Sequence, residues 1–298
     1  MNASINSTLL ASAADKGTRR RLRKSQFYLL LDWLIILSCL GFAAHINNGV
    51  FFFICALIVA RQLVALETIL HEASHGLLHA KVSCNDRLAQ VLISSALLYP
   101  IEVYRRFHFQ HHHEPDKKRP FGIQGYPETS TISARIIFIL QGFILDMSGV
   151  SFVKLQVRVW KVYFSIRRNL IFDPYAWIVF ALQINIYLLI RVCGGDLATY
   201  FILWLLPLGT RMPALLRVRS IFEHGMLLKQ GKSLECARNF GGALITLLAA
   251  PHNVNYHREH HARPTLPCWD LPAVVENPSN ITFLNSLRAA LGSSLAKK

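Results

Sequence analysis

The sequence predicts an all-α membrane protein: four transmembrane helices in two hairpins under a cytosolic, histidine-rich helical cap. Three observations carry this. The chain of 298 residues is 52% hydrophobic and only 16% charged, with a mean hydropathy of +0.32, and its apolar residues come in runs long enough to cross a bilayer. Its basic residues, which outnumber the acidic ones 32 to 17, avoid the short turns between those runs. Its 13 histidines are bunched rather than scattered.

The first 26 residues form a polar tail ending in a basic run, Arg19 to Lys24. The string TRRRLRK loosely resembles a twin-arginine export signal, but no small-residue cleavage site follows it, so it reads as the cytosolic flank of an anchor. Residues 27–276 read as one membrane-and-cap domain, and 277–298 as a C-terminal tail with a short amphipathic helix from Ile281.

The run Phe27–Ala44 is interrupted only by Asp32 and, after Ile46-Asn47-Asn48-Gly49, is followed by a second from Val50 to about Leu66. Two runs joined this tightly make a helical hairpin. The second hairpin pairs Tyr175–Val192 with Leu197 to about Leu208 across Cys193-Gly194-Gly195-Asp196. Leu88–Ile101 and Ile132–Leu145 fall short of the roughly 20 residues a span needs and read as interfacial or re-entrant helices. Lys154–Arg168 alternates basic and apolar residues, as a segment lying on an anionic leaflet does.

Charge tests this layout. With a cytosolic N-terminus and two hairpins, every long loop and both termini are cytosolic. Of the 32 Lys+Arg only Arg61 and Arg191 fall within the spans, and the outer loops 45–49 and 193–196 hold none. The positive-inside rule accounts for the net charge of +15 without a nucleic-acid partner. The six cysteines form no CxxC pair and read as reduced residues of a cytosol-facing protein. Short loops suggest a bacterial inner membrane.

Under this topology three histidine clusters share one face. His71 and His75 stand four apart just after the second span; His108, His111 and His112 form one HxxHH box, and His257, His260 and His261 another; His224 adds one more. On a helix, offsets of three and four flank the starting position, so three imidazoles of a box can converge on one point. Neutral imidazole suits iron, zinc and copper. Nine candidates exceed the four ligands of one tetrahedral zinc and match two ions of higher coordination. His45 and His113 read as ordinary surface histidines, and His79 and His252 as structural or supporting ones.

The words HEASHG, YRRFHFQHHHEPD, LRVRSIFEHG and LAAPHNVNYHREHH, with LPCWDLP behind them, resemble the conserved blocks of the membrane fatty acid desaturase superfamily, from about Phe27 to Pro272. The resemblance implies four spans under a cytosolic cap holding two non-haem irons on the nine histidines, with O2 as co-substrate. It implies removal of two hydrogens from an unactivated acyl chain or similar lipid. Asn253, Asn255, Glu223 and Asp270, with Glu72 and Glu259, are the expected supports of ligating imidazoles. No cytochrome b5-like domain and no flavin or nicotinamide fingerprint is found in the sequence, so electrons are expected from a separate ferredoxin, rubredoxin or cytochrome b5-like donor.

Other readings stay open. The same frame serves hydroxylases and ketolases, including those acting on carotenoids or small molecules. HEASH is also HExxH, the zinc metalloprotease signature with Glu72 as base, but a protease leaves both HxxHH boxes unexplained. A metal transporter would want ligands inside the spans, which hold only Asp32 and Glu67.

Overall fold

The computed structural model describes residues 2–113, 131–167, 173–224, 237–276 and 281–291, and all structural statements concern these. They are helical, with no strand; the single β-bridge joins Asn239 and Tyr256.

Four helices are long and apolar enough to cross a bilayer. They lie in α1 (Asn2–Ile46), α2 (Gly49–Ser74), α7 (Pro174–Val192) and α8 (Leu197–His224). Their starts follow local chemistry. Asn48 caps α2 by accepting from the N–H groups of Val50 and Phe51, Asp173 caps α7 with Pro174 behind it, and Asp196 caps α8 through Thr199. Large apolar side chains such as Leu30, Leu34, Phe53, Trp177 and Phe180 remain exposed, as a lipid-facing surface requires.

Two spans run further than their apolar runs suggested. α2 continues past Leu66 to Ser74, and α8 past Leu208 to His224. α8 absorbs Pro207 by widening into π-helical turns at Phe201–Leu205 and Pro207–Arg211, which relieves the ring's clash with the preceding turn. At 1.5 Å per residue these helices of 26 and 28 residues are about 39 and 42 Å long. The hydrocarbon core is about 30 Å thick, so each is longer than a perpendicular crossing needs; His71 and His224 lie beyond the apolar runs of these helices, and His75 follows Ser74.

The stretch from Val82 is a broken helix: α3 (Val82–Ala89) passes through a π-helical turn to Leu97 and stops at Leu98, whose φ is +55°. α4 (Ile101–His113) follows. α5 (Ile132–Met147) and α6 (Val150–Ile166) bend by 74° at Gly149, whose φ is +78°. Short helices α9 (Ala243–Ala249), α10 (His257–Ala262) and α11 (Phe283–Leu291) complete the cap. α11 is the amphipathic helix expected of the tail, and it is packed down: the Gly241 N–H donates to Ser286 Oγ at 3.0 Å, and Phe283 meets Phe222 of α8.

The polar flank of α1 lies against the cap. Lys24 and Arg21 pair with Asp270, Ser25 Oγ donates to the Leu77 carbonyl, and Gln26 Nε2 to that of Leu78. Deeper, Asp32 accepts from Gln62 Nε2 at 3.1 Å and lies 2.8 Å from His252 Nε2, tying α1, α2 and the turn before α10 together.

Candidate metal centre

Nine imidazoles gather where α2, α4, α8 and α10 meet, in two groups. His71, His75, His108, His112 and His260 form one, and His111, His224, His257 and His261 the other; within each, the ring nitrogens lie within 4.8 Å of one another. All nine histidines singled out in the sequence are present, and no other joins them. His79 Nδ1 accepts from the Lys81 N–H and His252 pairs with Asp32, so both are structural.

Each HxxHH box is divided between the groups. α4 sends His108 and His112 to the first and His111 to the second, while α10 sends His260 to the first and His257 and His261 to the second. Convergence of three on one point is therefore wrong. Residues i+3 and i+4 lie about 60° and 40° to opposite sides of residue i, at 3.6 residues per turn. An HxxHH helix thus straddles a boundary, with the i, i+4 pair on one side and the remaining histidine on the other.

The contacts within each group fit a shared cation. His75, His108, His112 and His260 touch in series through Nε2, at 2.8, 2.9 and 3.0 Å. His257 Nε2 lies 3.0 Å from His224 Nε2 and 2.9 Å from His261 Nε2. A neutral Nε2 carries either one proton or one in-plane lone pair, and so makes one hydrogen bond. At most two of the first three contacts and one of the last two can be hydrogen bonds. The rest set like against like unless lone pairs converge on a positive charge. At metal–nitrogen bonds of about 2.1 Å, ligand nitrogens at right angles lie about 3.0 Å apart, against about 3.4 Å in a tetrahedron. The shortest contacts, 2.8–3.0 Å, match ligands at right angles, while each group as a whole spans up to 4.8 Å.

Electrostatics keeps the lone pairs available. Burial, then neighbouring imidazoles, holds His108, His257 and His260 well below the ordinary histidine range. Burial, with His112 and Arg105 nearby, lowers His75 to about 3, and burial with His113 lowers His112 to about 4. These rings are neutral at physiological pH, the form that binds metal.

The supports differ from those expected. Glu72 Oε1 lies 2.9 Å from His71 Nδ1 and Oε2 accepts from the Cys268 N–H, which leaves His71 Nε2 buried and unpartnered. Glu72 is fully buried and does not line the cavity between the groups, a poor position for a protease's general base. Glu223 Oε1 stands 3.6 Å from His257 Nδ1. The others serve elsewhere: Asp270 pairs with Arg21 and Lys24, Asn255 donates to the Phe240 carbonyl, Asn253 is exposed at φ +66°, and the buried Glu259 Oε2 has no hydrogen-bond partner.

Sequence reasoning passed over a second buried network. Tyr104 Oη donates to Glu67 Oε1 at 2.7 Å, Arg219 Nη1 lies 2.7 Å from Glu67 Oε2, and Arg219 Nε 3.3 Å from Glu223 Oε1. Its signal was there: Glu67 stands out as a carboxylate in an apolar run. Arg105 clamps α4 to α3 through Asp86, with its Nε donating to the Ser74 carbonyl at the end of α2. Between the two histidine groups lies a cavity of about 80 Å³, walled by His71 and His108 of one group, His111, His224 and His257 of the other, and Glu67, Tyr104 and Leu216.

Residues 47–279 match the family profile described as fatty acid desaturase. The dihydrorhizobitoxine desaturase of Bradyrhizobium elkanii is 24% identical over 259 residues, covering 81% of this chain and 71% of that protein. The chain belongs to the fatty acid desaturase family.

Proposed function

We propose that the chain is an integral-membrane oxidoreductase that holds two iron ions on its nine clustered histidines and uses O2 and external electrons to desaturate an acyl chain or similar lipid. The observation that carries this reading is the sharing of both HxxHH boxes between two adjacent imidazole groups, which sets two candidate metal sites side by side from three helices and one helix end. His71, His75, His108, His112 and His260 hold one ion, and His111, His224, His257 and His261 the other. When bound, such a pair of ions would activate O2, the oxidant that takes two hydrogens from unactivated C–H bonds with the help of two external electrons.

The chain's own part is positioning. Glu72 orients His71 and Glu223 orients His257, as ligating imidazoles require. Tyr104, Glu67 and Arg219 form a fully paired polar wall, which keeps unpaired buried charge away from the reacting carbon. Leu216 is the apolar surface against which a methylene can rest. The cap faces the cytosol with both termini, in a bacterial inner membrane, where a separate ferredoxin, rubredoxin or cytochrome b5-like donor reaches it. Contact of the basic flank of α1 with the cap supports this sidedness.

Lipid mass spectrometry of cells making the wild-type chain or His261→Ala tests the reading. It expects products 2 Da lighter than their precursors, dependent on O2 and absent in the variant. Products 16 Da heavier would replace desaturation by oxygen insertion, and identical lipid profiles would contradict an acyl substrate.

A further inference from the structure

Part of the cap is apolar on its outer side. Leu244 and Leu247 of α9 are 69% and 61% exposed, and Leu248 is exposed beside them. Spaced three and four apart, the three share one helix face. Phe283 and Leu284, at the start of α11, are exposed too and extend this surface from the first turn of α9. Gly242, just before α9, has a φ of +123°, and a Cβ there would come within 2.8 Å of that of Phe283. Only glycine lets the two helices approach this closely.

Arg61 sets the depth of this surface. Val50, Phe53, Ile54, Leu57 and Ile58 form the exposed, lipid-facing side of α2 at helical spacing, and Arg61 is the next position on that side. From Gln62 to Ser74 the helix is buried. Arg61 Nε donates to the Leu247 carbonyl at 3.2 Å, so α9 meets α2 where its lipid-facing side stops, and the α9 leucines continue that side. Arg61 stands five residues ahead of Leu66, near which the apolar run ends. That is about 7.5 Å at 1.5 Å per residue, within the depth of about 5–10 Å at which interfacial helices lie.

The same hydrogen bond meets a local need. Within a helix the Leu247 carbonyl would accept from the N–H of residue 251, which is a proline and has none. Water would satisfy a free carbonyl, whereas hydrocarbon would not. Arg61 supplies the missing donor, and its Nη1 is tied through Gln62 to Asp32. An α9 standing in water would give no reason for a cation within a span.

We infer that α9 and the start of α11 are seated among the acyl chains of the leaflet on the histidine side. The bilayer itself then holds the segment that leads into α10. Residues 250–256 join α9 to α10, and His252 in that link pairs with Asp32 of α1, so lipid and spans together set the height of His257, His260 and His261. This seating is independent of the reaction proposed above.

Depth-dependent quenching tests it. The full chain, with its cysteines replaced by alanine, carries a single nitrobenzoxadiazole label at Leu247→Cys, Leu284→Cys, Leu57→Cys or Arg263→Cys, at one chain per phosphatidylcholine nanodisc. The last two are references, one on the lipid-facing side of α2 and one exposed just past α10. At Leu247→Cys and Leu284→Cys, nitroxide on the acyl chains is expected to remove the emission as it does at Leu57→Cys, more strongly near the glycerol than near the chain end. Iodide in the water is expected to leave it. Iodide quenching as at Arg263→Cys, without nitroxide quenching, would overturn the inference. Protection from both would put protein on this face and overturn it equally. Adding Arg61→Leu is expected to shift Leu247→Cys from nitroxide toward iodide quenching with Leu57→Cys unchanged, and Arg61→Lys to keep the original pattern. Unchanged quenching with Arg61→Leu would overturn the part given to Arg61.

Discussion

The two histidine groups are built from the same boxes but held differently. The five-histidine group draws on the ends of α2 and α4 and on α10, and its frame is tied three ways: Glu72 joins His71 to the Cys268 backbone, Arg105 clamps α4 to Asp86 and Ser74, and Asn85 Nδ2 donates to the Ala73 carbonyl. The four-histidine group takes His224 from the last position of α8, and the carboxylate beside His257 stands 3.6 Å away. On the function proposed above, with one six-coordinate ion in each group, five ligands would leave one place and four would leave two. The difference would make the first site the one for retention and the second the one for exchange.

The largest effect that could break this comparison is ligand removal. His108→Ala, His112→Ala and His261→Ala are each expected to abolish turnover while the protein still inserts, and His108→Ala to loosen the ion of the five-histidine group; full activity of a metal-verified variant would remove that histidine from the ligand set. Next, a chelator titration should proceed in two steps, the first releasing one ion, with His224→Ala erasing the first step and leaving the second. Release of both ions together would show that the groups are not unequal. A smaller effect separates the supports. Glu72→Gln should weaken the more tightly held ion by about 10–100-fold, and Glu223→Gln should act only on the other, read as a shift of one chelation step and not both.

The smallest expected effect is on pH. His75 and His112 are lowered to about 3 and 4, against about 6.5 in an unfolded chain. Between those values the unfolded chain binds protons that the folded chain refuses, so stability rises with pH across the window. The metal-stripped protein should lose melting temperature steadily as pH falls from about 6.5 toward 4, and His75→Gln should flatten the slope. A melting temperature rising toward pH 4 would contradict the buried, neutral state of these rings.

Much of this was legible in the sequence. Span-length runs mark the four membrane helices, the breaks at 46–49 and 193–196 mark their turns, and residue spacing singles out nine histidines. Beside the Tyr104–Glu67–Arg219 network, three features escaped, each for a physical reason. Pro207 and Arg211 look like a helix end, yet π-helical turns carry α8 on to His224. The HxxHH spacing places histidines around one helix but does not say that two crossing helices will exchange them between sites. Asp270 sits beside a metal-box sequence yet serves Arg21 and Lys24, because a fold can bring a residue 246 positions away closer than its neighbours.

Elemental analysis of the purified chain, grown iron-replete and free of zinc contamination, tests the central claim most directly. Two separate sites predict about two irons per chain. About one zinc and no iron would contradict the account and leave the divided histidine boxes without a purpose.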